Sequence, residues 1–326
     1  MAEGLYGKHA FLEDPWERSA PIPLDGLLER NRFNPVLTAF LALILGMISY
    51  LIIGNVAIVV LLLMAGVGLD ALAQDLPRIM EEQTAVMLSA NSLGLVLGMG
   101  VLALVLTRLH SRRVWAFLRV RTPDPISLAL AVCGLFALIP AVQWIGNVNQ
   151  AIPLPEFLRA LEDMQMELIE KVLQGDLGIL FSLTMIALTP ALCEEVFFRG
   201  YVQRHFERGI GVAWGIVVTG LIFGLYHLRL TQVLPLSVLG VYLAYLTWRT
   251  GSLWIPIVVH FANNALGVAT AEYIKGRPDL DIADLEQIPV PWYALVVGLL
   301  FFAGLMYALQ QWSEILQTRR PVASTP

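Results

Sequence analysis

Long apolar runs alternate with short polar connections along this chain, and eight of the runs approach the length of a membrane span. A helix needs about 20 apolar residues to cross the hydrocarbon core of a bilayer. The runs cover residues 36–66, 85–106, 126–148, 177–198, 212–228, 233–248, 253–271 and 291–312. The pattern predicts an all-α, polytopic membrane helical bundle with about eight transmembrane helices.

The composition supports one membrane bundle rather than two soluble domains. Hydrophobic residues make up 57% of the chain and charged residues 14%, whereas soluble domains carry about 25% charged residues. We expect a polar cytoplasmic N-terminal arm over 1–34, a single transmembrane bundle over 35–312 and a cytoplasmic tail over 313–326. The protein is therefore predicted to be a multi-pass integral membrane protein, and we expect it in the cell membrane.

The distribution of positive charge predicts the orientation. Most of the 21 Lys and Arg residues fall in the N-terminal arm, in segments 107–125, 199–211 and 249–252, and in the tail. Positive charge accumulates on the cytoplasmic side of membrane proteins. Both termini are therefore expected to be cytoplasmic. The net charge of -5 gives no indication of a nucleic-acid partner.

Residues 156–174 form a separate amphipathic pattern, in which apolar residues recur at helical spacing with acidic residues between them. We expect a helix lying at the outer surface of the bundle. Two interpretations remain open for this helix. It is either a linker that covers the bundle or a lid over a lateral opening.

Two adjacent glutamates interrupt the fourth apolar run, in ALTPALCEEVFFRG. An ionisable group in hydrocarbon costs on the order of 3 kcal/mol even on a lenient insertion scale. Residues four apart share a helix face, so Glu195 is expected to pair with Arg199 while Glu194 faces the bundle interior. The alternative is that both glutamates mark the cytoplasmic end of this helix and are solvated there. The amphipathic segment GYVQRHFERG favours a helix that continues to about residue 208.

Two histidines and an amide lie in later apolar runs. His227 follows Phe223 by four residues, and Asn264 follows His260 by four, so each pair shares one helix face. One interpretation is structural, since such groups join transmembrane helices by hydrogen bonds. Their occurrence together with Glu194 on three helices, with few other ionisable groups at that depth, favours a water-activating site.

These three segments resemble the motifs of a known family. EEVFFR (194–199), FGLYH (223–227) and HFANN (260–264) are similar to EExxxR, FxxxH and HxxxN/D of the CPBP family, the CAAX prenyl protease and bacteriocin-processing (Abi) membrane proteases. The order of the motifs matches, and the resemblance covers about residues 175–270. It implies an all-helical intramembrane endopeptidase whose site is reached from within the membrane or from its cytoplasmic side.

The resemblance also implies a role for each motif residue. Glu194 and His227 would activate water, while His260 and Asn264 would stabilise the oxyanion. The supporting residues would be Glu195, Arg199 and Phe223. Peptide hydrolysis needs a base for water and a donor for the developing oxyanion, so the residue types suit the chemistry.

Zinc is an alternative that the sequence leaves open. Glu194, His227 and His260 could supply three ligands and leave the fourth position for water. No compact HExxH or HxxEH motif is present, however. We therefore expect no cofactor and no bound metal at this site.

The competing functional class is a non-catalytic membrane protein, which would be a scaffold, a bacteriocin-immunity factor or a transporter accessory. The predicted endopeptidase would act on a membrane-associated protein or peptide substrate within the lipid bilayer.

The sequence also poses a problem of depth. His227 lies about 17 residues beyond the turn near Gly211, or roughly 25 Å, whereas His260 lies roughly 12 Å into its own helix. The two histidines could not meet if both helices stood upright. We expect either a strongly tilted fifth helix or a connection at Leu228–Gln232 that lies inside the bilayer.

Overall fold

The computed structural model describes residue 16 and residues 22–74, 78–79, 82–175, 177–275, 277 and 288–319. Most of the predicted N-terminal arm and the last seven residues of the tail lie outside these ranges. Within them the chain is built from helices, and the long ones are labelled here in chain order. They are α1 (Pro35–Met64), α2 (Thr84–His110), α3 (Pro125–Gln150), α4 (Glu156–Gln174), α5 (Ile179–Ile210), α6 (Val212–Tyr226), α7 (Val233–Thr250), α8 (Trp254–Ile274) and α9 (Trp292–Thr318).

The predicted membrane bundle is confirmed. Seven helices in the described part of the chain are long and apolar enough to cross a membrane, namely α1, α2, α3, α5, α7, α8 and α9. The remaining apolar helix, α6, has only 15 residues. At 1.5 Å per residue it is about 22 Å long, which is shorter than a bilayer core. The protein is thus an all-α integral membrane protein, and the amphipathic helix α4 coincides with the predicted segment.

Two of the apolar helices begin with the same N-terminal capping arrangement. Asn34 caps α1 by accepting hydrogen bonds from the amides of Val36 and Leu37, and Pro35 follows it. Asp124 caps α3 in the same way, through the amide of Ser127. A proline at the first helical position loses no hydrogen bond, and an Asn or Asp before it satisfies free amides.

Asp124 stays ionised at the entrance to α3. Burial opposes its charge, but hydrogen bonds from the Ser127 amide and hydroxyl and from the Trp312 indole lower the pKa of this carboxyl. The contact with Trp312 also ties the start of α3 to α9.

Helix α5 carries both glutamates, and it is irregular on each side of them. A regular α-helical segment of about two turns, Thr189–Glu195, lies between two π-helical segments. These are Leu183–Leu188 and Val196–Val202. Pro190 lies just after the first π segment, where its missing N–H is accommodated. π-Helical turns are rare and frequently occur at functional sites. They rotate the side chains of this stretch relative to a uniform α-helix.

The turns between helices lie at different levels, and this resolves the problem of depth. The α5–α6 turn lies at Gly211, which has a positive φ of 85°. The α7–α8 turn packs against α5 well before the end of that helix, because Gly200 of α5 faces Leu253 in the turn as well as Leu118. Gly200 and Gly211 are separated by eleven residues of helix, or about 16 Å. His260 therefore reaches the middle of α5, through an offset of turns that the sequence had not indicated.

Helix α4 packs over the connection between α6 and α7. Glu162 of α4 is buried, and its carboxylate accepts hydrogen bonds from the backbone amide of Leu230 and from the hydroxyl of Thr231, the latter at 2.5 Å. Asn149 of α3 holds the same connection, through the carbonyl of Leu230 and the amide of Leu234. These hydrogen bonds hold the α6–α7 connection against α3 and α4 and leave Thr231 only partly exposed, while Leu228 and Leu230 stay exposed.

These hydrogen bonds lead to an accessibility prediction. In a Cys133→Ser background, a cysteine replacing Thr231 is expected to react slowly with a membrane-impermeant thiol reagent added from outside. The reference is Ala151→Cys in the exposed α3–α4 connection, which should react rapidly. Labelling rates followed by mass spectrometry provide the measurement.

A second variant identifies the cause of the protection. Glu162→Gln removes the charged acceptor that binds the α6–α7 connection, so the cysteine at position 231 should then react faster. Equal, rapid labelling at positions 231 and 151 in proteins that retain Glu162 would refute the protection of position 231.

Candidate active site

A buried ion pair within α5 contacts α8 through His260. Glu195 Oε1 accepts a hydrogen bond from Arg199 Nη1 at 2.9 Å, one helical turn away, and both side chains are fully buried. The same oxygen lies 2.8 Å from His260 Nδ1. The predicted pairing of Glu195 with Arg199 is present, and the alternative of a solvated helix end is wrong for Glu195. Arg199 also donates to the carbonyl of Gly240 in α7.

Glu194 points in another direction, into a cavity of about 290 Å³. Its carboxylate faces His227, with Oε2 lying 3.9 Å from the imidazole Nε2. The other ring nitrogen, Nδ1, is 2.7 Å from the carbonyl of Phe223 and must donate to it. In the neutral imidazole, Nε2 is therefore the unprotonated nitrogen and faces Glu194. Glu194 Oε2 is buried and has no hydrogen-bond partner among the described residues.

The ring of Phe223 connects the two groups of polar residues. Its centroid lies 4.7 Å from that of His227 and 5.8 Å from that of His260, in edge-to-face arrangements. The guanidinium carbon of Arg199 lies 4.2 Å from the same ring. An aromatic ring in van der Waals contact with both imidazoles fixes their separation and keeps their orientation. Glu194, Glu195, His227 and His260 are therefore parts of one cluster.

Asn264 lies one turn beyond His260 on α8. Its amide nitrogen is 3.4 Å from the carbonyl of Ile186, in the first π-helical segment of α5, and its oxygen accepts from Asn263 at 3.2 Å. Both hydrogen bonds are long, so the Asn264 amide is weakly held. Neither His260 nor Asn264 is among the described residues that line the cavity of Glu194.

Three polar residues that line the cavity were not identified from the sequence, namely Tyr50, Gln165 and Tyr226. Tyr50 donates to Asn91, and Tyr226 donates to the carbonyl of Leu43, so both hydroxyls anchor the cavity wall. Gln165 comes from α4, so this helix contributes to the wall of the cavity. A tyrosine within an apolar span and a glutamine on an amphipathic helix were the available signals, but only the packing places them here.

The geometry does not favour zinc at this cluster. Among the described residues, Glu194, His227 and His260 do not bring ligand atoms within 4.8 Å of one another. His260 also directs Nδ1 at Glu195, and Glu194 and His227 are separated by 3.9 Å. Atoms that bind one tetrahedral zinc ion, each about 2.1 Å from the metal, lie closer to each other than the 3.9 Å between Glu194 and His227. The three residues therefore do not fit a zinc ion in this arrangement.

Comparisons with known proteins point to a family of peptidases. Residues 176–266, which contain all three motifs, match a family model described as "Type II CAAX prenyl endopeptidase Rce1-like". The chain is also 24% identical over 153 residues to the "Putative membrane peptidase YdiL" of Bacillus subtilis (strain 168). That alignment covers 46% of this chain, and it spans 60% of the length of the relative. No solved structure matches significantly.

The family-model match covers the part of the chain that builds the cluster. It coincides with the helices that carry Glu194, His227 and His260, which lie together in the fold. The comparisons therefore support the CPBP family, and at the level of that family they support a CAAX-protease-like membrane peptidase.

Proposed function

We propose that this protein is an intramembrane endopeptidase that hydrolyses peptide bonds of membrane-associated substrates. The observation that carries the proposal is the pair of Glu194 and His227, which face each other at 3.9 Å in a shared cavity. This distance is too long for a direct hydrogen bond and suits a bridging water. A water about 2.8 Å from both atoms would donate one hydrogen to each.

In the proposed reaction, the bridging water attacks the scissile carbonyl. Glu194 takes the proton as the new C–O bond forms, and His227 orients the water through Nε2. When the C–N bond breaks, the protonated Glu194 returns its proton to the leaving amine. The products are a carboxylic acid and an amine, which become a carboxylate and an ammonium when the acid passes its proton to the amine, and the two catalytic residues regain their starting protonation.

In this proposal, the hydrogen-bond donors to the substrate oxyanion come from α8. His260 donates through Nε2 once the ring is protonated, and Glu195 stabilises that imidazolium through Nδ1–H. The Asn264 amide supplies a second donor, because its present bond to the carbonyl of Ile186 is long enough to be exchanged for a substrate oxygen. Such donors stabilise the charge that develops in the transition state.

The role of Asn264 gives a measurable expectation. Asn264→Ala should lower kcat by about 100-fold, the usual scale for one oxyanion donor, with a smaller effect on KM. Asn263→Ala is the matched control, since its amide lies beside that of Asn264, and it should retain most of the activity. Equal losses in the two variants would assign both asparagines to helix packing instead.

Catalysis is expected to proceed without a metal at Glu194, His227 and His260. Activity per folded molecule should survive dialysis against a strong chelator, with the melting temperature measured in parallel to confirm that the fold is intact. Loss of activity in a fully folded sample, restored by zinc alone, would reverse this expectation and make His260 a metal ligand.

The function itself is tested in cells. Membrane proteomes are compared between cells producing the wild-type protein and cells producing Glu194→Gln, with Glu272→Gln as a matched control at an exposed carboxylate of α8. Peptide termini that require wild-type protein and persist with Glu272→Gln would identify substrates. The non-catalytic class would be favoured if all three proteins gave identical peptide termini and equally restored the growth of cells that lack the wild-type protein.

A further inference from the structure

A second buried polar cluster lies away from the proposed active site, where the end of α2 meets the last turns of α5. It contains His110 of α2, Tyr201 and His205 of α5, and Glu29 of a short helical turn, Leu27–Arg30, before α1. His205 and Tyr201 are fully buried, and His110 is 2% exposed. Ligand atoms of Glu29, His110 and His205 lie within 4.8 Å of one another.

The hydrogen bonds fix where the ring protons lie. Both oxygens of Glu29 accept hydrogen bonds from Arg208, at 2.6 and 2.9 Å, so this group is a carboxylate and an acceptor. His110 Nδ1, 2.8 Å from Glu29 Oε1, must therefore be the donor. His205 Nδ1 lies 2.9 Å from the backbone carbonyl of Tyr201 and must donate as well. In the neutral rings, both Nε2 atoms are then unprotonated.

These two unprotonated nitrogens face each other. His110 Nε2 and His205 Nε2 are 3.2 Å apart, and the hydroxyl oxygen of Tyr201 is 2.9 Å from His110 Nε2. Two lone pairs directed at each other in a buried site repel unless a cation lies between them. The Tyr201 hydroxyl can donate to only one of the two nitrogens, so it cannot resolve the conflict alone.

The separation of the nitrogens suits a metal ion. Two imidazole nitrogens on one tetrahedral zinc, at about 2.05 Å each, lie about 3.3 Å from each other. A bridging proton would serve one pair of acceptors, whereas a metal can bind all three converging atoms. The outer contacts also match metal sites, where a ligating histidine donates its second N–H to a carboxylate or a backbone carbonyl.

We propose that His110 Nε2, His205 Nε2 and the Tyr201 hydroxyl oxygen form a structural site for a divalent transition metal of the zinc class. Glu29 and the Tyr201 carbonyl orient the two imidazoles from outside. Coordination by Tyr201 as a phenolate releases its proton to water. The metal joins α2 to α5, and through Glu29 it fixes the segment that precedes α1. This site is separate from Glu194 and His227 and independent of the proposed proteolysis.

The test uses purified full-length protein in detergent, carrying an affinity tag without histidines. Metal-free protein is titrated with zinc or cobalt chloride, and bound metal per chain is measured by elemental analysis after gel filtration. Wild-type protein should bind one equivalent, show the visible absorption of tetrahedral cobalt, and melt at a higher temperature with zinc. His110→Gln and His205→Gln should lose all three signals.

Three further variants keep the test decisive if His110→Gln or His205→Gln fails to fold. Glu29→Gln should weaken binding by about 10- to 100-fold, because it replaces the charged outer acceptor with a neutral amide and removes no ligand. His227→Gln and His260→Gln are controls and should bind zinc as wild-type protein does. A wild-type protein that binds no cobalt would show that a proton bridges the two rings and would overturn the proposal. So would loss of the metal in the His227→Gln or His260→Gln protein.

Discussion

Replacing Glu194 with glutamine is expected to abolish peptide hydrolysis while leaving the bundle folded. Glutamine has the shape of glutamate but cannot take a proton from the bridging water, and a general base contributes about 10²- to 10⁴-fold to the rate. The Glu194 carboxylate makes no hydrogen bond through Oε2 among the described residues, so its replacement should cost little stability. The measurement is turnover of a membrane peptide identified in the cellular comparison, with thermal unfolding alongside.

The pairing of Glu194 with His227 provides a second check on the role of Glu194. His227→Gln should also lower turnover strongly, and the double variant with Glu194→Gln should lose little more, because the two residues act on one water. Full activity of the Glu194→Gln protein would refute the proposed mechanism, whatever the behaviour of His227.

Replacing Glu195 with alanine is expected to have the largest effect on stability. It would leave the fully buried Arg199 without its carboxylate and His260 without its Nδ1 acceptor. Removing one partner of a buried ion pair typically costs about 3–5 kcal/mol. We therefore expect a large fall in the melting temperature in detergent, together with reduced turnover in the fraction that remains folded.

A double variant separates the structural role of Glu195 from its effect on His260. Glu195→Met combined with Arg199→Met removes both charges, and replacing a buried pair by apolar residues is often neutral for stability. Stability should then return, while turnover stays low because nothing orients His260. If Glu195→Ala melts at the wild-type temperature, the contacts of Glu195 with Arg199 and His260 do not stabilise the bundle in the way described.

The sequence predicted the membrane bundle well because hydrophobicity alone decides which segments enter a bilayer. Eight apolar runs became seven spanning helices and the shorter α6, and the amphipathic helix α4 was placed correctly. The spacing of Glu195 and Arg199 also predicted their ion pair, since helical periodicity operates within four residues. The roles assigned to Glu194, His227, His260 and Asn264 stay predictions.

Contacts between helices could not be read from periodicity. The binding of His260 to Glu195, and the entry of Gln165 into the cavity of Glu194, depend on how far each helix is shifted along its neighbours. The offset between the α5–α6 and α7–α8 turns sets that shift, and the packing of Gly200 against Leu118 and Leu253 defines it.

The sequence by itself therefore determined the class of fold, the helices and the identity of the polar residues, because these follow from local hydrophobicity and spacing. Only the tertiary structure decided which polar groups meet. It separated Glu194 and His227 from the Glu195–His260 pair, and it brought His110 and His205 together across 95 residues of sequence. Such pairings depend on helix register and on the two π-helical segments of α5, which rotate its side chains in a way that no local pattern encodes.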